Sequence, residues 1–168
     1  ALKFNYLMKI IIQNFKENVI VNECDIICVD KIENLTNIVA CSIVLFEMAK
    51  NHLKIKFEWK EDAENLDETN FVFVSETNMI FFRSVHQWGA IEIETKTLKR
   101  HEDAFNFPYI EHKQSFILIE DELYAESCKL NGDKIDNVPI DPPGKIQEFE
   151  DRIEYNSPIF GHQTLKTN

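Results

Sequence analysis

Six carboxylates crowd the stretch from Glu58 to Glu68 (Glu58, Glu61, Asp62, Glu64, Asp67 and Glu68), opposed there by Lys60 alone. A second acidic triplet, Glu120-Asp121-Glu122, lies further along the chain. Carboxylates at such density can act as general acids and bases, hold a cation, or present a negative surface to a basic partner. They can also be plain solvated turns that discourage strands from pairing with other chains. His86, His101 and His112, with Glu102, Asp103 and Glu111 beside the last two, are the other candidates for chemistry. Acid–base or metal chemistry needs such groups to converge. Their spacing matches no His-Glu-x-x-His, no Gly-x-Ser-x-Gly and no glycine-rich phosphate loop. Asn131-Gly-Asp-Lys-Ile-Asp lacks the alternating ligands of a calcium loop and reads as a hairpin tip. No catalytic residue, metal site or cofactor is therefore expected. A small hydrolase using His86, His101 or His112 with a carboxylate is the enzymatic alternative.

Charge narrows the partners. Eighteen basic against 29 acidic residues give a formal net charge of −11, which repels phosphate backbones and excludes a basic groove for nucleic acid. It suits a cationic protein. No apolar run is long enough to cross a membrane as a helix, and Leu7 to Ile12 is short and broken by Lys9, so a cytoplasmic protein without membrane contact is expected. The run beginning at Met8 resembles a natural start, so residues 1–7 are expected to be either an upstream extension or an addition foreign to the natural chain. Cys24, Cys28, Cys41 and Cys128 are spaced for neither a zinc site nor a disulfide framework and read as free thiols.

The elements that must position these groups are strands. Leu53, Ile55, Phe57 and Trp59 alternate with Lys54, Lys56, Glu58 and Lys60, which puts the first set in a core and the second in water. Strand-like runs also occur at Lys3–Gln13, Val19–Glu23, Ile26–Ile32, Asn37–Met48, Phe71–Ser75, Met79–Arg83, Ala90–Glu94, Phe116–Glu120, Leu123–Leu130 and Lys134–Val138. Turns are expected at Ala49–His52, Glu76–Asn78, Asp121-Glu122 and Asn131–Asp133. From Thr95 to Gln114 no period survives, and Phe105, Phe107 and Tyr109 suggest a long loop with aromatic anchors. After Asp141-Pro-Pro-Gly144, the spacing of Ile146, Phe149 and Ile153 predicts a short amphipathic helix over Lys145–Tyr155. The fold expected is mainly β: an antiparallel meander or sandwich with that one helix. It forms a single domain over residues 1–155, with 156–168 a loosely held tail. Phe71-Val-Phe-Val and Phe116-Ile-Leu-Ile, 45 positions apart, each open a strand, acidic turn, strand pattern, so a propeller-like stack is the alternative.

A small, acidic, Phe-rich β domain with the Glu58–Glu68 cluster and no catalytic motif resembles the immunity proteins that bacteria keep against polymorphic or contact-dependent toxins. The resemblance implies a tight complex with a cationic toxin domain, often a nuclease, whose phosphate positions the carboxylates would occupy. It points to Glu61, Asp62, Glu64, Asp67 and Glu68 as the contact loop. Glu120, Asp121 and Glu122 form a second patch, and Trp88, Phe105 and Tyr109 are apolar anchors. A β-scaffold module of a larger assembly is the remaining alternative.

Overall fold

The computed structural model describes residues 8–141 and 144–168. Residues 1–7, which include the start of the first expected strand, and Pro142-Pro143 lie outside these. The described residues form fifteen strands in four sheets. The chain makes two compact units, Ala1–Thr69 and Asn70–Asn168. Among the described residues no helix is long and apolar enough to cross a membrane.

The first unit holds one sheet of β1 (Lys9–Phe15), β2 (Ile26–Val29), β3 (Ala40–Met48) and β4 (Asn51–Trp59), in the order β1-β3-β4-β2. The long hairpin β3–β4 sets the register, with Val44 opposite Ile55 and Phe46 opposite Leu53. Leu53, Ile55, Phe57 and Trp59 are 0–1% exposed, as their period of two requires. Lys56 departs from the expected pattern. It is 8% exposed, and its ammonium is held by Glu58 at 3.1 Å and Asn18 Oδ1 at 2.7 Å. A lysine is tolerated on that face because both partners come with it. The edge strand β2 runs parallel to β4, Ile26 facing Ile55. The strand expected at Val19–Glu23 does not form: Ile20 is fully solvated and Glu23 takes a positive φ of 60°, which ends any extended run.

The second unit follows a 3-10 turn at Glu68–Asn70 and contains three antiparallel meanders. The first is β5 (Phe71–Val74), β6 (Met79–Ser84), β7 (Gln87–Glu92) and β8 (Thr97–Asp103). The second is β9 (Tyr109–His112), β10 (Phe116–Glu120), β11 (Tyr124–Lys129) and β12 (Lys134–Pro139). The third is β13 (Lys145–Glu148), β14 (Arg152–Ser157) and β15 (Gly161–Lys166). The middle sheet is apolar on both faces. Ile117, Ile119 and Cys128 pack with Met79, Phe81, Trp88 and Ala90 of the first sheet. Leu118, Ala125 and Val138 pack with Ile153, Tyr155 and Leu165 of the third. A strand buried on both sides has to read as a continuous apolar run, and Phe-Ile-Leu-Ile does.

Three expectations are corrected here. The helix over Lys145–Tyr155 is instead the β13–β14 hairpin. Ile146 and Phe149, two members of the supposed stripe, are 57% and 39% exposed, while Ile153 and Tyr155, two apart, are buried. The pairing of β14 with β15 decides the matter, and a helical spacing rule cannot see a partner ten residues away. That pairing also gives residues 161–166 a strand, with Leu165 fully buried, in what was expected as a loose tail. The supposed loop from Thr95 to Gln114 contains β8 and β9. Thr97–Asp103 reads Thr-Leu-Lys-Arg-His-Glu-Asp, so its inward positions are polar and periodicity finds nothing, although it completes the hydrogen bonding of β7.

Candidate functional site

The acidic connection after β4 has no regular structure from Glu61 to Asp67, yet it is pinned at its centre. Leu66 is 5% exposed, and its backbone is gripped on both sides by one amide. Its N–H donates to Asn14 Oδ1 at 3.1 Å, and its carbonyl accepts from Asn14 Nδ2 at 3.0 Å. The Ser42 hydroxyl donates to the same Asn14 Oδ1 at 2.7 Å and lies 3.3 Å from the Glu64 carbonyl. The Trp59 indole N–H in turn donates to Ser42 at 3.0 Å. Asn14 and Ser42 face each other across β1 and β3, so the sheet itself sets the grip. Glu61, Asp62, Asp67 and Glu68 are exposed and Glu64 is half-buried. Part of the charge is spent locally: Asp62 accepts the Ala63 N–H, and Asp67 accepts both the N–H and the hydroxyl of Thr69.

In the second unit, the residues expected as a second patch do converge, but several are structural. Asp121 accepts the N–H groups of Leu123 and Tyr124 on one oxygen, at 2.7 and 2.8 Å, and that of Phe105 on the other at 3.0 Å. Glu120 is an ion-pair partner of Lys145 at 3.2 Å. Burial first, and then the Glu120 charge, pushes the pKa of the Tyr155 phenol well up. Glu122 accepts from the Asn106 amide. The loop carrying Phe105, 51% exposed, is therefore fastened to the β10–β11 turn. It is fastened to the β6–β7 turn as well, by Ala104 N–H to the His86 carbonyl and Phe107 N–H to that of Val85. Asn106 and Phe107 both adopt positive φ, 56° and 63°, a conformation a phenylalanine adopts only when its surroundings hold it. Arg83 does so, over the Phe107 ring at 4.8 Å and bonded to the Pro108 carbonyl at 3.0 Å. Tyr109 is half exposed, its hydroxyl 3.3 Å from Glu111.

Beside this loop lies a cleft of about 220 Å³ whose lining includes Trp88, Glu102, Asp103, Asp121, Tyr124, Glu126 and Lys134. Trp88 is only 4% exposed, packed in the core between the two sheets with Arg100 over its ring at 4.9 Å. Arg100 spans the two sheets: Nε donates to Glu102 at 2.9 Å, one terminal nitrogen to Glu126 at 2.8 Å and the other to the Gly132 carbonyl at 3.1 Å. Burial opposes the charge, but the hydrogen bonds to Glu102 and Glu126 outweigh it and hold the guanidinium protonated. The buried Cys128 thiol beneath has its pKa pushed far up, by burial and then by Glu126. Burial likewise pushes Cys28 up to about 12, and all four cysteines are free thiols.

The histidines have separate partners. His101 Nε2 is 2.6 Å from Gln87 Oε1, on the face of its sheet opposite Trp88, whereas His112 is 3.9 Å from Glu76. Among the described residues no three His, Cys, Asp or Glu side chains cluster as metal ligands do. The residues that sequence reasoning missed are Asn14, Ser42, Arg100 and Tyr124. Nothing local marks the first three, since their roles are set by partners on other strands. Tyr124, directly after the acidic triplet, was within reach as an aromatic at a hairpin tip. The sequence matches no family model and no curated protein.

Proposed function

We propose that the chain is a protein-binding domain that takes a cationic partner through exposed, rigidly held acidic loops, in the manner of an immunity protein covering the active site of a basic toxin such as a nuclease. The observation that carries this reading is the two-sided grip of Asn14 on Leu66. A merely solvated turn has no need of a buried anchor and a dedicated amide, whereas a contact loop gains affinity when its ordering cost is met before binding. The exposed carboxylates of Glu61, Asp62 and Glu68 then face a basic surface from a loop that is already ordered, and the net charge of −11 speeds the encounter. In the second unit, taken by itself, the Phe105 and Tyr109 rings are exposed aromatic area of the kind that interfaces favour.

The fold reading that accompanies it is a propeller-like run in the second unit. Strand starts recur every 36 to 38 residues, from Phe71, Met79, Gln87 and Thr97 to Tyr109, Phe116, Tyr124 and Lys134, then to Lys145, Arg152 and Gly161. The 45-residue echo in the sequence matches β5–β6 with β10–β11 and so runs one strand out of step. Meanders stacked at a fixed period present their turns together at the ends, a common arrangement for binding surfaces.

The test is binding to the product of any neighbouring gene that ends in a basic domain, measured by calorimetry over a range of salt. Affinity should fall with salt, and the triple reversal Glu61→Lys, Asp62→Lys and Glu68→Lys should weaken it more than about tenfold at unchanged stability. Unchanged affinity in that variant would remove the loop from the interface.

A further inference from the structure

Within the second unit, the cleft between β7–β8 and β11–β12 carries more information than its charge. Its volume, about 220 Å³, falls below the roughly 300–1,000 Å³ of pockets that enclose a cofactor or drug-sized ligand. It is room for one long side chain. Four of its lining residues are carboxylates and one is an ammonium, Lys134. Two of those carboxylates, Glu102 and Glu126, already hold a guanidinium against an aromatic ring, that of Arg100 on Trp88. The same ingredients recur elsewhere in the lining of this cleft. The Tyr124 ring is 52% exposed, and the exposed Asp103 carboxylate has no hydrogen-bond or ion-pair partner among the described residues. The backbone at both positions is set by the fold, because Tyr124 N–H is fixed by Asp121 and Asp103 ends β8 opposite Gln87.

We infer that this cleft receives one arginine side chain of a protein partner, its guanidinium stacked on Tyr124 and paired with Asp103. The inference rests on the partner reading above and names the residue of the partner that enters here. Arginine suits the site better than lysine, since a planar guanidinium can stack and pair with a carboxylate at once, whereas an ammonium is a compact, strongly hydrated charge. Lys134 opposes any cation in the cleft, which gives the inference a variant that should improve binding.

The experiment is an NMR titration of the whole chain with N-acetyl-arginine methylamide, using the citrulline analogue as the uncharged isostere and the lysine analogue as the point charge. The arginine amide should shift the Trp88 indole N–H and the Tyr124 amide saturably, in the millimolar range expected of a single side chain. Asp103→Asn and Tyr124→Ala should each weaken it at least about fivefold, and Lys134→Glu should tighten it. Both Asp103 and Tyr124 are exposed, so these variants keep the fold, and the amide spectrum verifies that they do. Equal shifts from the citrulline amide, or shifts indifferent to Asp103→Asn, would overturn the inference. The two readings fail separately. A chain that binds its basic partner but ignores the arginine amide loses the cleft assignment, and a chain with a saturable cleft but no basic partner loses the function.

Discussion

Replacing Asn14 by alanine tests whether the acidic connection is held or merely drawn in. The substitution removes three hydrogen bonds at once: the two to the Leu66 backbone and the one from Ser42. Ser42 has a fallback, because the Glu64 carbonyl is already 3.3 Å away, so that loss is largely recovered. Leu66 has none: its side chain is buried and its N–H and C=O would need water at a site the leucine keeps dry. Two hydrogen bonds at about 1 kcal/mol each give an expected cost of about 2 kcal/mol. For a chain of this length that is a drop of roughly 4–8 °C in Tm. Urea melts should show a lower midpoint with an unchanged m-value, and the Leu66 amide should exchange about thirtyfold faster, that being what 2 kcal/mol amounts to for a locally opening group. Asn14→Asp separates the two halves of the grip, since it keeps the acceptor for Leu66 N–H but puts a carboxylate oxygen against the Leu66 carbonyl. It should be destabilising too, and increasingly so above the pH at which that carboxyl ionises. A cost below about 0.5 kcal/mol for Asn14→Ala, with Leu66 exchange unchanged, would show the connection to be an ordinary solvated turn.

Arg100→Ala should cost about 3 kcal/mol, because Glu126 at 15% side-chain exposure is left facing its lost partner; a melt within 1 kcal/mol of the parent would contradict that role. Gly89→Ala should destabilise by about 2 kcal/mol, since an added Cβ would come within 2.4 Å of the Phe82 ring and 2.7 Å of the Arg100 carbonyl, and only the ring can move. Glu148 is held below its usual carboxylate range by its hydrogen bond to Lys145, against a smaller opposing effect of burial and with help from Lys113. A carboxyl with a lowered folded pKa contributes stability that is fully present above its ordinary value near 4.5 and is lost as pH falls through the lowered one. Exchange at the Lys145–Glu148 amides should therefore quicken on acidification below about pH 4.5, beyond the intrinsic pH dependence, and Glu148→Gln should remove that excess; equal excess in both proteins would refute the coupling.

What was legible in the sequence depended on where each strand's partner lies. β4 and β10 are readable because their neighbours bury one face or both, leaving a period of two in one and a continuous apolar run in the other. β8 is the outer strand of its sheet and carries Arg100 and Glu102 where an apolar residue would have announced it. Lys56 hid its burial for a similar reason, since Asn18 and Glu58 satisfy it from positions no pattern singles out. The false helix at Lys145–Tyr155 shows the converse: three apolar residues at helical spacing, of which two remain largely exposed because the stabilising contacts of that segment are made with β15 and the middle sheet. In the candidate site, the acidic residues were visible as a run of one sign, but Asn14, which holds that run, is an asparagine among many.

The carboxylates themselves do not all serve the same purpose, and this changes what net charge implies. Glu102 and Glu126 hold Arg100, Glu120 holds Lys145, and Asp121 already accepts three backbone N–H groups. A partner could take Asp121 only by releasing the Phe105 loop and the β10–β11 turn, so that residue adds to the surface potential without being available for pairing. Glu61, Asp62, Glu68 and Asp103 are exposed at the surface. Two neutralised variants of equal formal charge should accordingly behave in opposite ways. Glu61→Gln with Asp62→Asn should leave the melt nearly unchanged and weaken the complex with the basic partner severalfold. Glu120→Gln with Asp121→Asn should lower stability by about 2 kcal/mol, through the lost ion pair and weakened turn hydrogen bonds, while changing affinity only as far as bulk charge does. If both pairs weakened binding equally at every salt concentration, long-range potential alone would account for recognition, and the ordered loop held by Asn14 would have no part in it.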